Sequence, residues 1–275
     1  MRIFTGLAIS AILAAAPLSV GAETMIGDPI TGCQIWSDAP PGTDEVATWT
    51  GDCDGGKASG TGVLVWVEDG KLLGRYAGAM AGGKFNGDGE LIIRAQNGKG
   101  FDKISGKFAD GAPHGEIVAE MATGEKYQGI AEKGELHGVG AYSDGAGNTY
   151  EGEFKDSLPH GVGYYEAKDG EAYFGDFENG SRHGRGVLIG GDGDFYMGVF
   201  AKGKAHGFGR VETGDGGLYE GQFADGIPHG GGMYTAADGT RYQGQFVKGD
   251  LTGAVLVMRD GKQSVENWKD GAPVK

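Results

Sequence analysis

Six histidines are the residues of this sequence best suited to acid–base or metal chemistry, and their spacing is regular. Each precedes a glycine and lies 23 residues from the next; they are His114, His137, His160, His183, His206 and His229. Catalysis needs one histidine with unique partners, whereas these six occupy equivalent positions. Equivalent positions in adjacent hairpins lie about 10 Å apart, too far for two histidines to share one zinc ion. The pattern predicts structural histidines, and we expect no enzyme activity, metal or cofactor.

The N-terminal residues have the features of an export signal. Arg2 precedes an apolar run from Ile3 to Pro17, and Val20 and Ala22 are the small or apolar residues expected before a cleavage site. The run is too short for a comfortable membrane span, and we expect no transmembrane segment in the mature chain. The sequence therefore predicts a periplasmic or secreted protein after removal of residues 1–22.

The two cysteines, Cys33 and Cys53, both follow this signal. A disulfide is the natural pairing outside the reducing cytosol, although two free thiols are the alternative. The pairing would close a loop of about 20 residues and stabilise the fold by about 3 kcal/mol in the chain-entropy model.

The charge balance excludes some classes of partner. The formal net charge is −14, and no run of consecutive Lys or Arg offsets it. Nucleic acid and anionic bilayers attract basic proteins, so we expect no nucleic-acid partner and no simple attraction to an anionic membrane. Glycine, at 58 of 275 residues, is far above ordinary use and calls for a repeat as its explanation.

Aromatic residues repeat with the same 23-residue period as the histidines. The row consists of Tyr127, Tyr150, Tyr173, Tyr196, Tyr219 and Tyr242, with Phe154, Phe177, Phe200, Phe223 and Phe246 four residues after the last five of these tyrosines. A fixed period of this length indicates an array in which each unit is one supersecondary element. Earlier units, starting near Trp49, Tyr76 and Ile104, are spaced by 27 and 28 residues, which predicts longer turns there.

These residues resemble the MORN (membrane occupation and recognition nexus) repeat. The resemblance is carried by Tyr-Glu-Gly-Glu-Phe-Lys at 150–155 and Pro-His-Gly-Val-Gly at 159–163, and it extends over residues 47–271. It implies an elongated, twisted, single-layer β-sheet. Residues 1–22 are then the signal peptide, 23–46 an N-terminal cap and 272–275 a tail. Units are expected to start near residues 49, 76, 104, 127, 150, 173, 196, 219 and 242, with a partial unit at 264.

The strand pattern supports the same fold class. Tyrosine, glycine and phenylalanine at alternate positions share one face of a strand, and Asn-Gly and Asp-Gly pairs such as Asn179-Gly180 and Asp169-Gly170 supply turns within and between units. We expect an all-β antiparallel meander of about nine hairpins, each about 23 residues long.

An apolar aromatic face suggests a binding function. The tyrosine and phenylalanine row either shields glycine backbone or forms the binding surface. The leading hypothesis is a non-enzymatic scaffold that holds a protein partner or self-associates. The alternative is a binder of lipid headgroups or glycans that uses the same row.

Overall fold

The computed structural model describes residues 24–37, 42, 44–95 and 97–274. The predicted signal peptide lies outside the described residues. The chain forms two compact units, one ending at Leu158 and the other beginning at Pro159. Within the described residues, no helix is long and apolar enough to cross a bilayer.

Twelve strands lie in the N-terminal unit. They are β1 (Thr24–Gly27), β2 (Gln34–Ser37), β3 (Glu45–Trp49), β4 (Asp52–Asp54), β5 (Lys57–Glu68), β6 (Lys71–Ala81), β7 (Lys84–Arg94), β8 (Phe101–Ala109), β9 (Ala112–Glu120), β10 (Lys126–Glu132), β11 (Glu135–Ser143) and β12 (Thr149–Lys155). From β5 to β12 each strand pairs antiparallel with the next along the chain.

The C-terminal unit continues the same pattern. Its strands are β13 (Leu158–Glu166), β14 (Ala172–Glu178), β15 (Ser181–Ile189), β16 (Phe195–Ala201), β17 (Lys204–Glu212), β18 (Leu218–Ala224), β19 (Ile227–Thr235), β20 (Arg241–Val247), β21 (Asp250–Arg259), β22 (Lys262–Lys269) and β23 (Ala272–Pro273). Consecutive strands again pair antiparallel. The predicted all-β meander of hairpins is confirmed.

Tight turns within the repeat units carry the residues that the sequence predicted. Asp110 and Gly111 have φ of 56° and 88°, and Asp225 and Gly226 have φ of 52° and 90°. Two consecutive positive φ values are what a two-residue type I′ hairpin requires. These residues therefore fix the register of the strands on either side.

The earliest repeat units correct one expectation. The extra residues between their repeat positions were predicted to lie in the turns, but they lie mainly in the strands. Strand β5 has 12 residues, and β6 and β7 have 11 each. In a later hairpin, β14 has 7 residues and β15 has 9. The turn between β5 and β6 is still the pair Asp69-Gly70. Strands can lengthen without breaking the repeat because added residues extend the backbone ladder.

The cap is tied to the first repeat through a buried carboxylate. Asp28 accepts hydrogen bonds from the Thr31 hydroxyl and from the backbone N–H of Trp49, at 2.7 and 3.0 Å. Burial alone would raise the pKa of Asp28, but these bonds and that from the Ile30 N–H hold it below its usual value. The cap hairpin β1–β2 is thereby attached to the end of β3.

Candidate functional site

The predicted aromatic row lies in the protein interior. Ten of its eleven members are at most 8% exposed, and the exception, Tyr242, is half-buried. They sit on the inward face of the first strand of each hairpin, as the alternation of the sequence predicted. The row therefore offers little area to a partner.

The tyrosine hydroxyls are engaged inside the fold. The Tyr173 hydroxyl donates to the Asp176 carbonyl at 2.9 Å, three residues further along the strand. The same bond, at 2.8 to 2.9 Å, recurs in the other units for Tyr76, Tyr127, Tyr150, Tyr196 and Tyr219. This arrangement satisfies the hydroxyl where the ring is buried.

Glycine makes room for the buried tyrosine rings. A Cβ at Gly175 would lie 2.5 Å from the Tyr173 hydroxyl, and one at Gly186 would lie 2.4 Å from the same atom. These two glycines face each other across β14 and β15, so the ring lies over bare backbone of both strands. The glycine excess thus has a packing cause, because only glycine lets the ring approach this closely.

Phenylalanine joins one repeat unit to the next. Phe200 makes T-shaped contacts with Tyr196 of its own unit and Tyr173 of the preceding one, both with ring centroids 5.0 Å apart. Phe223 makes the same two kinds of contact, and Phe246 contacts Tyr219 of the preceding unit. Edge-to-face pairs of this kind each add about 0.5–1.5 kcal/mol beyond burial. The row is the core of the array.

The burial changes the acidity of the tyrosines. Desolvation raises the pKa of Tyr127, Tyr196 and Tyr219 to about 12 in each case, although a backbone hydrogen bond opposes the shift. Desolvation raises the pKa of Tyr173 further, with a contribution from the Asp176 charge. The neutral phenol is the form that the fold stabilises.

The opposite face of the C-terminal unit carries an exposed apolar patch. Tyr164, Phe174, Val187 and Met197 lie directly across from one another on β13 to β16. Ile189 and Phe195 form a second row beside them. Phe174 is 58% exposed and Met197 50%. We call these six residues the outer apolar patch; large exposed apolar groups in one contiguous area mark interaction sites.

Acidic residues border this patch. Glu166 and Glu212 stand at the two ends of the row that contains Ile189 and Phe195. Arg210, directly across from Met197, pairs with Glu212 at 3.3 Å and with Glu220 at 3.8 Å. The two ends of that row are therefore acidic and Arg210 is paired with carboxylates, while the exposed Arg185 lies two residues from Val187 on β15.

The repeat histidines occupy the second strand of their hairpins and are exposed or half-buried. His183 lies 3.3 Å from the Glu178 carboxylate and His137 lies 3.2 Å from that of Asp156. Glu135 joins the second pair, so one imidazole and two carboxylates lie close together. The 23-residue spacing did not predict this grouping, because it excluded only a metal ion shared by two repeat histidines.

Cys33 and Cys53 form the predicted disulfide, with their Cα atoms 5.7 Å apart. It links the start of β2 to β4, and Cys33 is only 1% exposed.

Fold and site together define the class: an all-β repeat protein whose hairpins stack through a tyrosine–phenylalanine core. The family model for the MORN repeat matches four consecutive segments, residues 150–172, 173–195, 196–218 and 219–241. Each segment begins at a tyrosine of the aromatic row. Residues 150–241 of this chain are therefore four consecutive MORN repeats.

Other comparisons add little. A comparison with curated proteins finds no match. A solved structure of the Drosophila melanogaster SAS-4 (dCPAP) TCP domain with a proline-rich motif of Ana2 (dSTIL) is 11% identical, covering 66% of this chain and 85% of that chain at a TM-score of 0.29. The TCP10 domain of Danio rerio CPAP with a STIL peptide is also 11% identical, covering 80% and 96% at a TM-score of 0.30. Similarity this low carries no argument about function.

The outer apolar patch was also missed, although the sequence holds a signal for it. The position after the repeat tyrosine is Phe174 and Met197 in two consecutive units but Glu151 and Glu220 in the units on either side. A departure from a polar repeat position, confined to neighbouring units, marks a local surface.

Proposed function

We propose that this protein is a non-enzymatic interaction module that binds a protein partner through the outer apolar patch. The observation that carries the proposal is the alignment of Tyr164, Phe174, Val187 and Met197 across four adjacent strands, on the face opposite the buried core. Aromatic residues and methionine are enriched where proteins meet. A repeat array suits such a role because equivalent positions of neighbouring strands present their side chains in aligned rows.

Charge indicates the kind of partner. The patch has acidic ends at Glu166 and Glu212, and the chain carries a net charge of −14. A second copy of this chain would bring the same negative border against it, which disfavours association through this patch. The partner is therefore a different protein that presents apolar side chains among lysines or arginines.

The contacts of the aromatic row favour this surface over the row itself. A lipid headgroup or glycan site on the tyrosines would need their hydroxyls, but the hydroxyls of Tyr173, Tyr196 and Tyr219 donate to backbone carbonyls. Binding there would break hydrogen bonds that the fold already makes.

We also propose that the protein is exported to the periplasm or the extracellular space. The Cys33–Cys53 disulfide supports this, because such bonds persist in oxidising compartments. Fractionation of cells followed by intact-mass analysis should find mature protein that starts near Glu23. Full-length protein in the cytosolic fraction, with both thiols reduced, would refute export.

The experiment for the binding function uses site-specific photo-crosslinking in the native host. A photo-reactive amino acid at position 174 or 197 should capture one protein, whereas the same probe at position 139, a 68% exposed valine on β11, should not. Phe174→Ser with Met197→Ser should abolish copurification of that protein, and Val139→Ser should leave it unchanged. These exposed changes leave the core intact. Equal capture at all three positions, or copurification that survives the double substitution, would exclude the patch as the docking site.

A further inference from the structure

Three metal-binding side chains meet at one corner of the N-terminal unit. Glu135 and His137 lie on β11, and Asp156 lies in the turn after β12. Each offers one ligand atom, and the three atoms lie within 4.8 Å of one another. None of these three residues belongs to the outer apolar patch.

The backbone holds these side chains together. Glu135 and His137 are two apart on a strand and so share a face. The Leu136 N–H donates to the Ser157 hydroxyl and the Ser157 N–H donates to the Leu136 carbonyl, both at 3.0 Å. Because Leu136 lies between the two β11 ligands, these bonds fix the turn, and with it Asp156, beside them.

The spacing of the ligand atoms fits a zinc ion. His137 Nε2 and Asp156 Oδ1 are 3.2 Å apart. Two ligands of a tetrahedral zinc ion, each about 2.1 Å from the metal, stand roughly 3.4 Å from each other. Two of the three groups are therefore already at the required distance, and Glu135 has an exposed side chain that can adjust.

The close approach of His137 Nε2 to Asp156 Oδ1 is also compatible with a bridging cation. A lone-pair nitrogen and a carboxylate oxygen 3.2 Å apart repel each other unless a proton or a metal ion lies between them. His137 Nε2 also accepts the Asp156 N–H at 3.4 Å, a long bond that a metal would replace at little loss. The negative charges of the two carboxylates would balance the charge of a divalent ion, and a neutral imidazole would add a third ligand without adding charge.

The repeat supplies an internal comparison. At the equivalent position of a later unit, His206 and Asp225 are kept but Lys204 replaces the glutamate; around His160 the corresponding residues are Leu158 and Asn179. Among the described residues, the combination of Glu, His and Asp within reach of one metal ion occurs only at this corner. A lysine ammonium in place of a carboxylate would repel a metal ion.

We propose that Glu135, His137 and Asp156 bind one divalent ion of the zinc class, with solvent completing its coordination. The ion cross-links the turn after β12 to β11 and stabilises that end of the N-terminal unit. Imidazole favours zinc over calcium or magnesium, which prefer all-oxygen sites.

Calorimetric titration of the tag-free, chelator-treated full chain with zinc chloride tests the proposal. We expect one saturable site in the unsubstituted protein. His137→Gln and Asp156→Asn should each weaken binding about tenfold or more, since loss of even a supporting group costs 10–100-fold. Calcium and magnesium chloride should bind far more weakly. The matched control, His206→Gln, should bind zinc as the unsubstituted protein does.

A second measurement separates binding from folding. Asn tolerates the positive φ of position 156, which is 51°, so Asp156→Asn should keep the turn. Zinc should raise the Tm of the unsubstituted protein and of His206→Gln but not that of His137→Gln. The proposal is overturned if the unsubstituted protein shows no saturable zinc binding, or if His206→Gln weakens binding as much as His137→Gln. The second result would mean scattered binding to surface histidines.

Discussion

At the scale of single residues, the repeat tyrosine combines three structural roles. Tyr196 shows all three: its ring covers Gly198 and Gly209, and it makes T-shaped contacts with Phe200 and Phe223. Its hydroxyl donates a hydrogen bond to the Val199 carbonyl of its own strand. The residue is thus both the core of its unit and the contact to the next. Its hydroxyl is a buried donor that the fold itself satisfies.

Removing three of these hydroxyls tests that assignment. Tyr→Phe at 173, 196 and 219 deletes three bonds of 2.8 to 2.9 Å while keeping the rings. We expect a loss of about 1 kcal/mol per site, measured by urea unfolding, with partner capture unchanged in the folded protein. The control for the stability measurement alone is Tyr164→Phe, whose hydroxyl bonds to the exposed Glu166 carboxylate and should contribute little. Partner capture is not compared for this control, because Tyr164 belongs to the outer apolar patch. Weakened capture by a stable triple variant would instead assign the hydroxyls to binding.

Alkaline pH should unfold the protein through the same tyrosines. The pKa of Tyr127, Tyr196 and Tyr219 is about 12 in the fold against 10.0 for an unperturbed phenol. A raised folded-state pKa means that the folded protein binds the proton more tightly, so the stabilisation is complete below about pH 10 and is lost as pH rises toward about 12. The urea midpoint should fall over this range, together with the appearance of tyrosinate absorbance. A constant midpoint up to about pH 11 would contradict the burial.

At the scale of the element, the hairpin depends on glycine in a face-specific way. On β19, Gly232 lies beneath the Tyr219 ring, where a Cβ would be 2.5 Å from the hydroxyl oxygen; a Cβ on the adjacent Gly231 would meet only Gln245 Nε2, at 3.8 Å. Neighbouring positions on a strand point to opposite faces. The same substitution should therefore have different effects at these two sites.

Gly232→Ala should destabilise the C-terminal unit by about 1–3 kcal/mol, because the added methyl group displaces a packed ring. Gly231→Ala should be neutral or slightly stabilising, since it reduces the freedom of the unfolded chain without a clash. Chemical denaturation of the two variants side by side gives the comparison. Similar losses in both would mean that glycine is needed here for backbone conformation and not for the ring above it.

At the scale of the whole molecule, stability should be distributed along the chain. Residues of a repeat array interact mainly with neighbouring units, so local damage stays local. The disulfide joins β2 and β4, both of which pair with β5, and Asp28 binds the Trp49 N–H beside them. These bonds attach the cap to the first repeat strands, and we expect the cap to stabilise this end of the chain.

Cys53→Ser should therefore act on one end only. We expect a cost of about 3 kcal/mol from the released loop of about 20 residues, seen as faster amide hydrogen exchange in β1 to β5. Exchange in β16 to β22 should match the unsubstituted protein. Faster exchange throughout the chain would show that the array unfolds as one cooperative unit.

The hairpin repeat, its turns and the shared face of tyrosine, glycine and phenylalanine could be predicted from the sequence. These follow from local rules: the period, the alternation of a strand and the φ that Asp-Gly and Asn-Gly pairs permit.

Which groups meet across strands could be seen only in the folded structure. Whether a tyrosine hydroxyl points to solvent or to the carbonyl three residues on depends on the ring position over Gly175 and Gly186. The contact of Asp156 with His137 depends on strand pairing that joins residues 19 apart. The outer apolar patch likewise exists because register brings Phe174 opposite Tyr164 and Val187. Period and composition describe each strand separately, whereas a surface is made by the alignment of several.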